Sequence, residues 1–518
     1  MEQKNELVKE KIEEKIEEVK AEDRKTTEKL TRKEKTHVIV IVCLAVFLAL
    51  SVYWLYQNTG NVTLEQLIFH LKVPMKGTNY DLLWDYIFWT FTRVILTIFL
   101  VGFIILGFEK INKIKVERKK KILNFLSKII LAISIIAILL VMNVHGFVKN
   151  QITASKLIEN EYVDPKQANI IFKEEKQNLI YIYLESIENT FSSIKNGGMY
   201  EEDKMPELTR IALNNINFSN TNKLGGAFNL QGTHWTIAAM VAQTSGVPLK
   251  ISIGDNDYGK HSTFLPGAYT LGEILEENGY TNYLLIGSES EFGGRKEYFE
   301  SHGNYNIWDY TSAINESRMT EDEKVWWGYS DEDLFKYAKE QLTEISKKEE
   351  PFNYTLLTVD THFTDGYVCR NCDNKHEDQY SNVISCSSKQ VSKFVEWIKK
   401  QPFYENTTII ITGDHLTMQA SIEDEARKNA YHERTVYNTF INSLAETENT
   451  INRQFFTLDM FPTTLAAIGA KIEGEKLGLG TNLFSDEQTI AEKYGVEYLR
   501  KELAKKSPFY NKKLIYGK

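Results

Sequence analysis

Three nearly uncharged apolar runs, at 38–56, 87–107 and 129–144, constrain this chain more than any other feature of it. As a helix, each is about long enough to cross a hydrocarbon core of ~30 Å. The third is the shortest, but it extends back through Ile122, Leu123 and Phe125, with Lys128 able to reach a polar boundary. Consecutive runs of this length flanked by dense charge do not suit the buried helices of a soluble core. The first is no secretory signal either, because it starts near residue 38, lacks a small-residue cleavage site and is followed by two further runs. Lysine and arginine in short loops favour the cytoplasmic side. Lys110, Lys113, Lys115, Arg118, Lys119, Lys120 and Lys121 lie between the second and third runs, and Arg32-Lys33-Glu34-Lys35 precedes the first. The expectation is a multi-pass protein of the cell membrane with its N-terminus in the cytoplasm and everything beyond about residue 146 outside.

The chain then divides into a charged cytoplasmic tail (1–36), a transmembrane region with three helices (37–146), a linker (147–175), an outer domain (176–485) and a C-terminal tail (486–518). The first tail alternates Lys and Glu, with little apolar content beyond Leu7, Ile12, Ile16 and Val19. That suits a solvated helix with i,i+4 pairs, or disorder, better than a coiled coil. Arg93 inside the second run is an intramembrane charge, either functional or satisfied by Asp85 or a lipid headgroup. A net charge of -9 excludes a strongly basic nucleic-acid binder, and no glycine-rich phosphate loop is present. Cys43 lies in the first run, and Cys369, Cys372 and Cys386 lie outside, where disulfides persist. Cys369-x2-Cys372-x3-His376 followed by Cys386 has the content of a zinc site, but one disulfide within this loop is the favoured expectation.

The outer domain reads as strands alternating with helices, hence an α/β fold with a mostly parallel sheet and helices on both faces. Residues 177–184 form a buried strand ending at Glu185. Gly232-Thr233-His234-Trp235-Thr236 opens a helix, and another runs from Leu271 to a stop at Gly279. Further strands cover 283–287 and 353–359, the latter leading to Asp360 and His362. A helix from about Ser387 to Lys400 precedes the β-branched run 407–413, which stops on Asp414 and His415. In parallel strands, Glu185, Asp360 with His362, and Asp414 with His415 meet at one edge of the sheet, the edge where such folds carry their chemistry. A divalent cation held by Glu185, Asp414 and His415 could lower the barrier to ionising a threonine hydroxyl and polarise a phosphoryl oxygen. Thr233 is a candidate hydroxyl at this helix start, and Thr236, three residues on, is its rival. Arg295 could hold a phosphate oxygen, and His362 could bind the phosphate or protonate a leaving group. His432 and Arg434 are candidates for a phosphate or for a surface salt bridge, and Trp326 and Trp327 for sugar stacking, the membrane interface or simple packing.

Tyr183-Leu184-Glu185-Ser186, Gly232-Thr233-His234-Trp235-Thr236-Ile237-Ala238, Asp360-Thr361-His362-Phe363 with Asp365-Gly366-Tyr367, and Gly413-Asp414-His415 resemble the sulfatase-fold membrane phosphotransferases. Within that group the likeness is to the phosphoglycerol transferases that modify membrane oligosaccharides, with the lipoteichoic acid synthases as near relatives. It spans about 175–485, including 459–465 and 479–483, and reaches 64–67 and 74–78 in the first outer loop. The resemblance implies a sulfatase/alkaline-phosphatase-like domain and one Mn2+ or Mg2+ ion. It also implies transfer of glycerol phosphate from a phosphatidylglycerol donor to a cell-envelope glycan acceptor through a phosphothreonine. Glu185, Thr233, Asp414 and His415 then match the metal set, with Thr233 as nucleophile, and His362 and Arg295 match phosphate positions. Lipoteichoic acid synthases carry a lysine where this chain has Gly232, which favours the glycan-modifying branch over a polymerising one. A phosphoethanolamine transferase, a phosphodiesterase and a non-catalytic glycan-binding protein are the alternatives. An arylsulfatase is disfavoured, because no cysteine stands in the nucleophile context.

Overall fold

The computed structural model describes residues 8–18, 29–60, 62–73, 76–77, 80–111, 114–251, 263–429 and 431–518. Leu7, Val19, Pro74, Met75, Thr78 and Lys113, used in the sequence analysis, lie outside the described residues. The first helices are Arg32–Thr59 (α1), Leu64–Lys72 (α2), Tyr80–Glu109 (α3) and Val116–Val141 (α4). The chain separates into two compact units, one of Met1–Gln57 with Tyr80–His145 and one of Asn58–Asn79 with Gly146–Lys518.

In the first unit, three helices are long and apolar enough to cross a membrane by length and composition. The third apolar run is the distal part of α4, whose first turns carry Arg118 and Lys119–Lys121 and which ends at Val141; Val144 begins a separate helix. A charged start does not stop a helix, since lysine and arginine are good helix formers, so the apolar boundary and the helix boundary differ. Arg93 lies 3.7 Å over the Trp89 ring and donates to the Trp89 carbonyl at 3.0 Å. Asp85, one of the candidate partners, accepts from Trp54 Nε1 at 3.1 Å.

The second unit is built on a six-stranded sheet: Asn178–Leu184 (β1), Thr281–Ile286 (β2), Asn306–Trp308 (β3), Phe352–Leu357 (β4), Thr407–Gly413 (β5) and Asn438–Ile441 (β6). The spatial order is β3-β2-β4-β1-β5-β6, parallel throughout except for the antiparallel pair β5–β6. Every residue of β1, β4 and β5 is buried, as befits strands covered on both faces. The side chains alternate accordingly. Tyr181 and Tyr183 share one core with the helices Thr236–Ser245 (α5), Leu271–Glu277 (α6) and Met460–Ala467, while Ile180, Ile182 and Leu184 share the other with Pro206–Leu213, Asp331–Ile345 and Gln379–Ile398 (α7).

Two differences from expectation extend this unit. Residues 486–518, expected as a tail, bury Ile490, Leu499, Leu503 and Leu514 in the first of those cores. From the expected linker, Ile170–Ile171 pairs antiparallel with Lys471–Ile472. Helix α7 also starts earlier than expected, at Gln379, where Asp378 accepts from Ser381 N at 2.8 Å as a cap. The strand register aligns the central strands at their exits. Leu184 lies opposite Gly413, and Tyr183 opposite Leu357, so the C-terminal ends of β1, β4 and β5 stand abreast.

Candidate active site

The abreast strand ends deliver Glu185, Thr358 and Asp414 as neighbours. Gly413 makes the last step possible, since a Cβ there would come within 1.9 Å of the Ile187 carbonyl oxygen. Glu185, Asp414 and His415 are all buried, with ligand atoms within 4.8 Å of one another. His415 Nδ1 donates to the Leu416 carbonyl at 2.8 Å, which turns Nε2 toward Asp414 Oδ2 at 3.4 Å and Glu185 Oε1 at 3.6 Å. Asp414 Oδ1 accepts from the main-chain N–H groups of Ser186 at 2.8 Å and His415 at 2.7 Å. Its Oδ2 is buried with no hydrogen-bond partner among the described residues. Ser186 sits at φ 58°, a left-handed conformation that turns the chain sharply after Glu185, and its hydroxyl donates to Glu185 Oε1 at 2.7 Å. Thr358 Oγ1 accepts from Glu185 N at 3.0 Å, and Thr361 Oγ1 donates to Glu185 O at 2.5 Å, fixing the backbone below the cluster.

The electrostatics are those of a site short of positive charge. Burial, then the Glu185 charge, pushes the Asp414 carboxyl up to about 8. Burial opposes ionisation of Glu185 as well, but the charges of His415 and His362 outweigh it and hold that carboxyl below its ordinary value. His415 is raised because Asp414 and Glu185 overcome the effect of its own burial. An orphaned carboxylate oxygen, a second carboxylate and an imidazole nitrogen turned toward both form a hard oxygen and nitrogen donor set, which fits one divalent cation.

Helix α5 brings the hydroxyl. Thr236 is its first residue, and Thr236 Oγ1 donates to Glu185 Oε2 at 3.2 Å. The preceding Trp235 supplies no side-chain cap, so the start of the helix keeps donors for an anion. Gln243 on the same helix donates to the carbonyls of Gly413 and Asp414 at 3.1 and 3.3 Å and accepts from Tyr181 OH at 2.9 Å, locking α5 to the strand ends. Thr233, the sequence-preferred nucleophile and fourth ligand, is held elsewhere. Its Oγ1 lies 2.9 Å from the Leu230 carbonyl and 3.1 Å from Asn229 Oδ1, and it accepts from Leu230 N at 3.3 Å. It belongs to the turn before the helix, where Gly232 sits at φ 85° with the Leu249 carbonyl oxygen 2.6 Å from where a Cβ would stand. That geometry demands glycine at 232.

Thr236 and Glu185 line a cavity that opens to solvent, shared with Arg295, His362, Ser288 and Trp327. Arg295 is buried and anchored by donating to Ser288 Oγ at 3.1 Å and the Glu289 carbonyl at 2.7 Å, while its Nε has no partner among the described residues. Burial lowers its guanidinium to about 10 against the raising influence of Glu185, Asp309 and Asp414, so it remains charged at neutral pH. His362 donates from Nδ1 to the Phe363 carbonyl at 2.5 Å, and burial lowers its pKa.

Asp360, Arg434 and His432 lie apart from this cavity, whereas Trp327 lines it. Asp360 Oδ1 accepts from Asp331 N at 3.1 Å, and Asp331 accepts from Val359 N and Asp360 N at 2.7 and 3.2 Å, so these acids brace a loop. Arg434 is half-buried and forks onto the buried Glu188 at 2.8 and 2.5 Å. His432 Nε2 meets Thr190 Oγ1 at 3.0 Å. Trp327 packs on His362 with ring centroids 4.9 Å apart, and Trp326 stacks on Tyr367 at 6.3 Å. The sequence reading missed Ser288 and His70. His70, on α2, stacks on Phe292 at 5.8 Å, and burial followed by the charges of His362 and Arg295 lowers it to about 4. The likeness noted at 64–67 was the only signal that this loop joins the outer domain.

The profile of the family described as Sulfatase matches residues 177–470, more than half of the chain. The chain belongs to the sulfatase family. Among curated proteins it is similar to phosphoglycerol transferase I of Escherichia fergusonii, 34% identical over 252 residues that cover 47% of this chain and 31% of the relative. The phosphoglycerol transferase I of Escherichia coli (strain 55989 / EAEC) is 32% identical over 262 residues, 49% of this chain and 32% of the relative. The match thus spans about a third of the length of these relatives. Among solved structures it is similar to the lipoteichoic acid synthase LtaP from Listeria monocytogenes, with a TM-score of 0.49 and 17% identity, covering 64% of this chain and 82% of that one.

Proposed function

We propose that this chain is a membrane-anchored, metal-dependent phosphotransferase that moves glycerol phosphate from phosphatidylglycerol to a cell-envelope glycan or oligosaccharide through a phosphothreonine on Thr236. The observation that carries this reading is the Thr236 hydroxyl, placed at a helix start, bonded to Glu185 of a buried Glu185/Asp414/His415 cluster and lining one cavity with Arg295 and His362. Glu185, Asp414 and His415 would hold Mn2+ or Mg2+, which when bound would stabilise an ionised hydroxyl and the charge developing on a phosphoryl oxygen.

The chain's own groups account for the remaining parts of a two-step transfer. The bond to Glu185 orients Thr236 Oγ1 and offers its proton a carboxylate. Oγ1 attacks the phosphorus of the donor diester, the bond from phosphorus to the diacylglycerol oxygen breaks, that oxygen takes a proton from water and leaves as diacylglycerol, the proton on Glu185 returns to solvent, and glycerol phosphate stays on Thr236. Arg295 and the free N–H groups at the start of α5 hold the non-bridging oxygens. With Nδ1–H committed to the Phe363 carbonyl, His362 leaves Nε2 as an acceptor, suited to take the proton of the incoming glycan hydroxyl in the second step, in which the glycan oxygen bonds to phosphorus, the bond to Thr236 Oγ1 breaks and Oγ1 regains a proton from water. Three apolar helices anchor the domain where a lipid donor resides, which raises its effective concentration. An N-terminus in the cytoplasm and an extracytoplasmic catalytic domain follow from the lysines and arginines between the second and third runs.

The test is to incubate the purified chain and Mn2+ with phosphatidylglycerol bearing a fluorescent acyl chain, beside the Thr236→Ala form. Fluorescent diacylglycerol released by the first and not the second is the expected result. Release from phosphatidylethanolamine instead would move the chain to the phosphoethanolamine transferases. Release of glycerol phosphate to water alone would make it a phosphodiesterase, and silence with both donors would favour the binding-only reading.

A further inference from the structure

The loop from Thr358 to Asp378 carries His362 yet contains no helix or strand, a length of irregular chain that needs something to hold it. Its far end returns to the first half of α7 at a cluster of sulfurs. Cys369 Sγ lies 3.6 Å from Cys372 Sγ and 3.6 Å from Cys386 Sγ, and all three sulfurs fall within 4.8 Å of one another. Cys369 and Cys386 are buried, and Cys372 is half-buried. The expected disulfide is absent: a sulfur–sulfur bond is about 2.05 Å long, and no pair here comes near that.

We propose that Cys369, Cys372 and Cys386 form a three-thiolate site for a divalent cation of the zinc class, and that this site pins the His362 loop to α7. Three sulfurs arranged tetrahedrally about zinc, each at about 2.3 Å, stand about 3.8 Å from one another, close to the 3.6 Å that separates Cys369 from each of the other two. Gln390 Nε2, one turn beyond Cys386, reaches Cys386 Sγ at 3.6 Å and Cys369 Sγ at 3.7 Å. An amide N–H aimed at two sulfurs is the outer-shell support that thiolate ligands receive, and the amide nitrogen cannot itself ligate. A disulfide would use two of the cysteines and leave the third sulfur packed against it without a role. Binding a cation engages all three, with three thiol protons released and the fourth position taken by water or an exogenous donor. The donors are soft, so this site and the oxygen and nitrogen cluster at Glu185 select different metals within one chain. The inference is independent of the function proposed above.

The experiment uses the full-length chain purified in detergent without chelator, its zinc content measured and the metal then exchanged for Co2+. The expected results are zinc bound to the thiols at about one ion per chain and a thiolate-to-cobalt charge-transfer band, which the Glu185 cluster cannot produce for want of sulfur. Cys386→Ser should remove the band and nearly all of that zinc. If this variant fails to fold, slow alkylation of the wild-type cysteines that becomes fast on chelation gives the same answer. A disulfide between any two of Cys369, Cys372 and Cys386 in the purified chain, or three free thiols with no such band on Co2+ addition, would overturn the proposal.

Discussion

The turn at Gly232–Thr233 and the first turn of α5 at Thr236 lie side by side in the chain and carry the same functional group, yet they serve different ends. Thr233 closes its own turn onto Leu230 and Asn229, whereas Thr236 donates to Glu185 in the acidic cluster. A hydroxyl bonded to backbone groups of its own loop contributes to folding. One placed at a helix start against a buried, ionised carboxylate is available for chemistry.

The largest expected effect comes from breaking that contrast directly. Thr236→Ala should lower donor cleavage by roughly 10⁴-fold or more, the scale seen when a covalent nucleophile is removed. Assay of diacylglycerol release checks it, and Thr236→Ser should recover part of the loss. Next comes the cluster that gives Thr236 its partner. Glu185→Gln and Asp414→Asn should each weaken metal affinity by more than about 100-fold, the upper cost of losing a mere supporting contact, as read by calorimetric titration with Mn2+. Such titrations should also depend on pH. In the cation-free site Asp414 is pushed up to about 8, so at neutral pH a cation must displace its proton. Bound cation favours the ionised carboxylate and the neutral imidazole, so affinity should rise with pH up to about 8 and fall by about tenfold per pH unit below it, more steeply where His415, itself raised, is protonated as well. The smallest effect belongs to the other threonine. Thr233→Val should cost about 1–3 kcal/mol of stability, because Leu230 N and Asn229 lose a buried partner, and should leave turnover per folded molecule within a few-fold, as denaturation and activity measured together would reveal.

The same contrast shows how far the fold and the site were legible in the sequence. Glu185, Asp414 and His415 could be read because a fully buried parallel strand is a recognisable apolar run and its last residue is visible where the run stops. The two threonines could not be separated. Nothing in Gly232-Thr233-His234-Trp235-Thr236 reveals that Trp235 is extended and the helix opens one residue later, and that single step decides which hydroxyl meets Glu185. His70 was out of reach because it comes from the outer loop between the first two apolar runs, and spatial proximity of that kind leaves no local pattern. The edge strands β3 and β6 are short, and the early start of α7 is polar, so neither offered the periodicity that marked the central elements. Cys369, Cys372 and Cys386 were visible as a group, but bond and cluster differ only in distance.

The most direct test of the central claim is to locate the covalent intermediate. The chain is incubated with phosphatidylglycerol and Mn2+ without acceptor, quenched in acid, digested and mapped by mass spectrometry. Glycerol phosphate attached to Thr236 is the predicted result. The same adduct on Thr233, or donor turnover that persists in Thr236→Ala, would contradict the account.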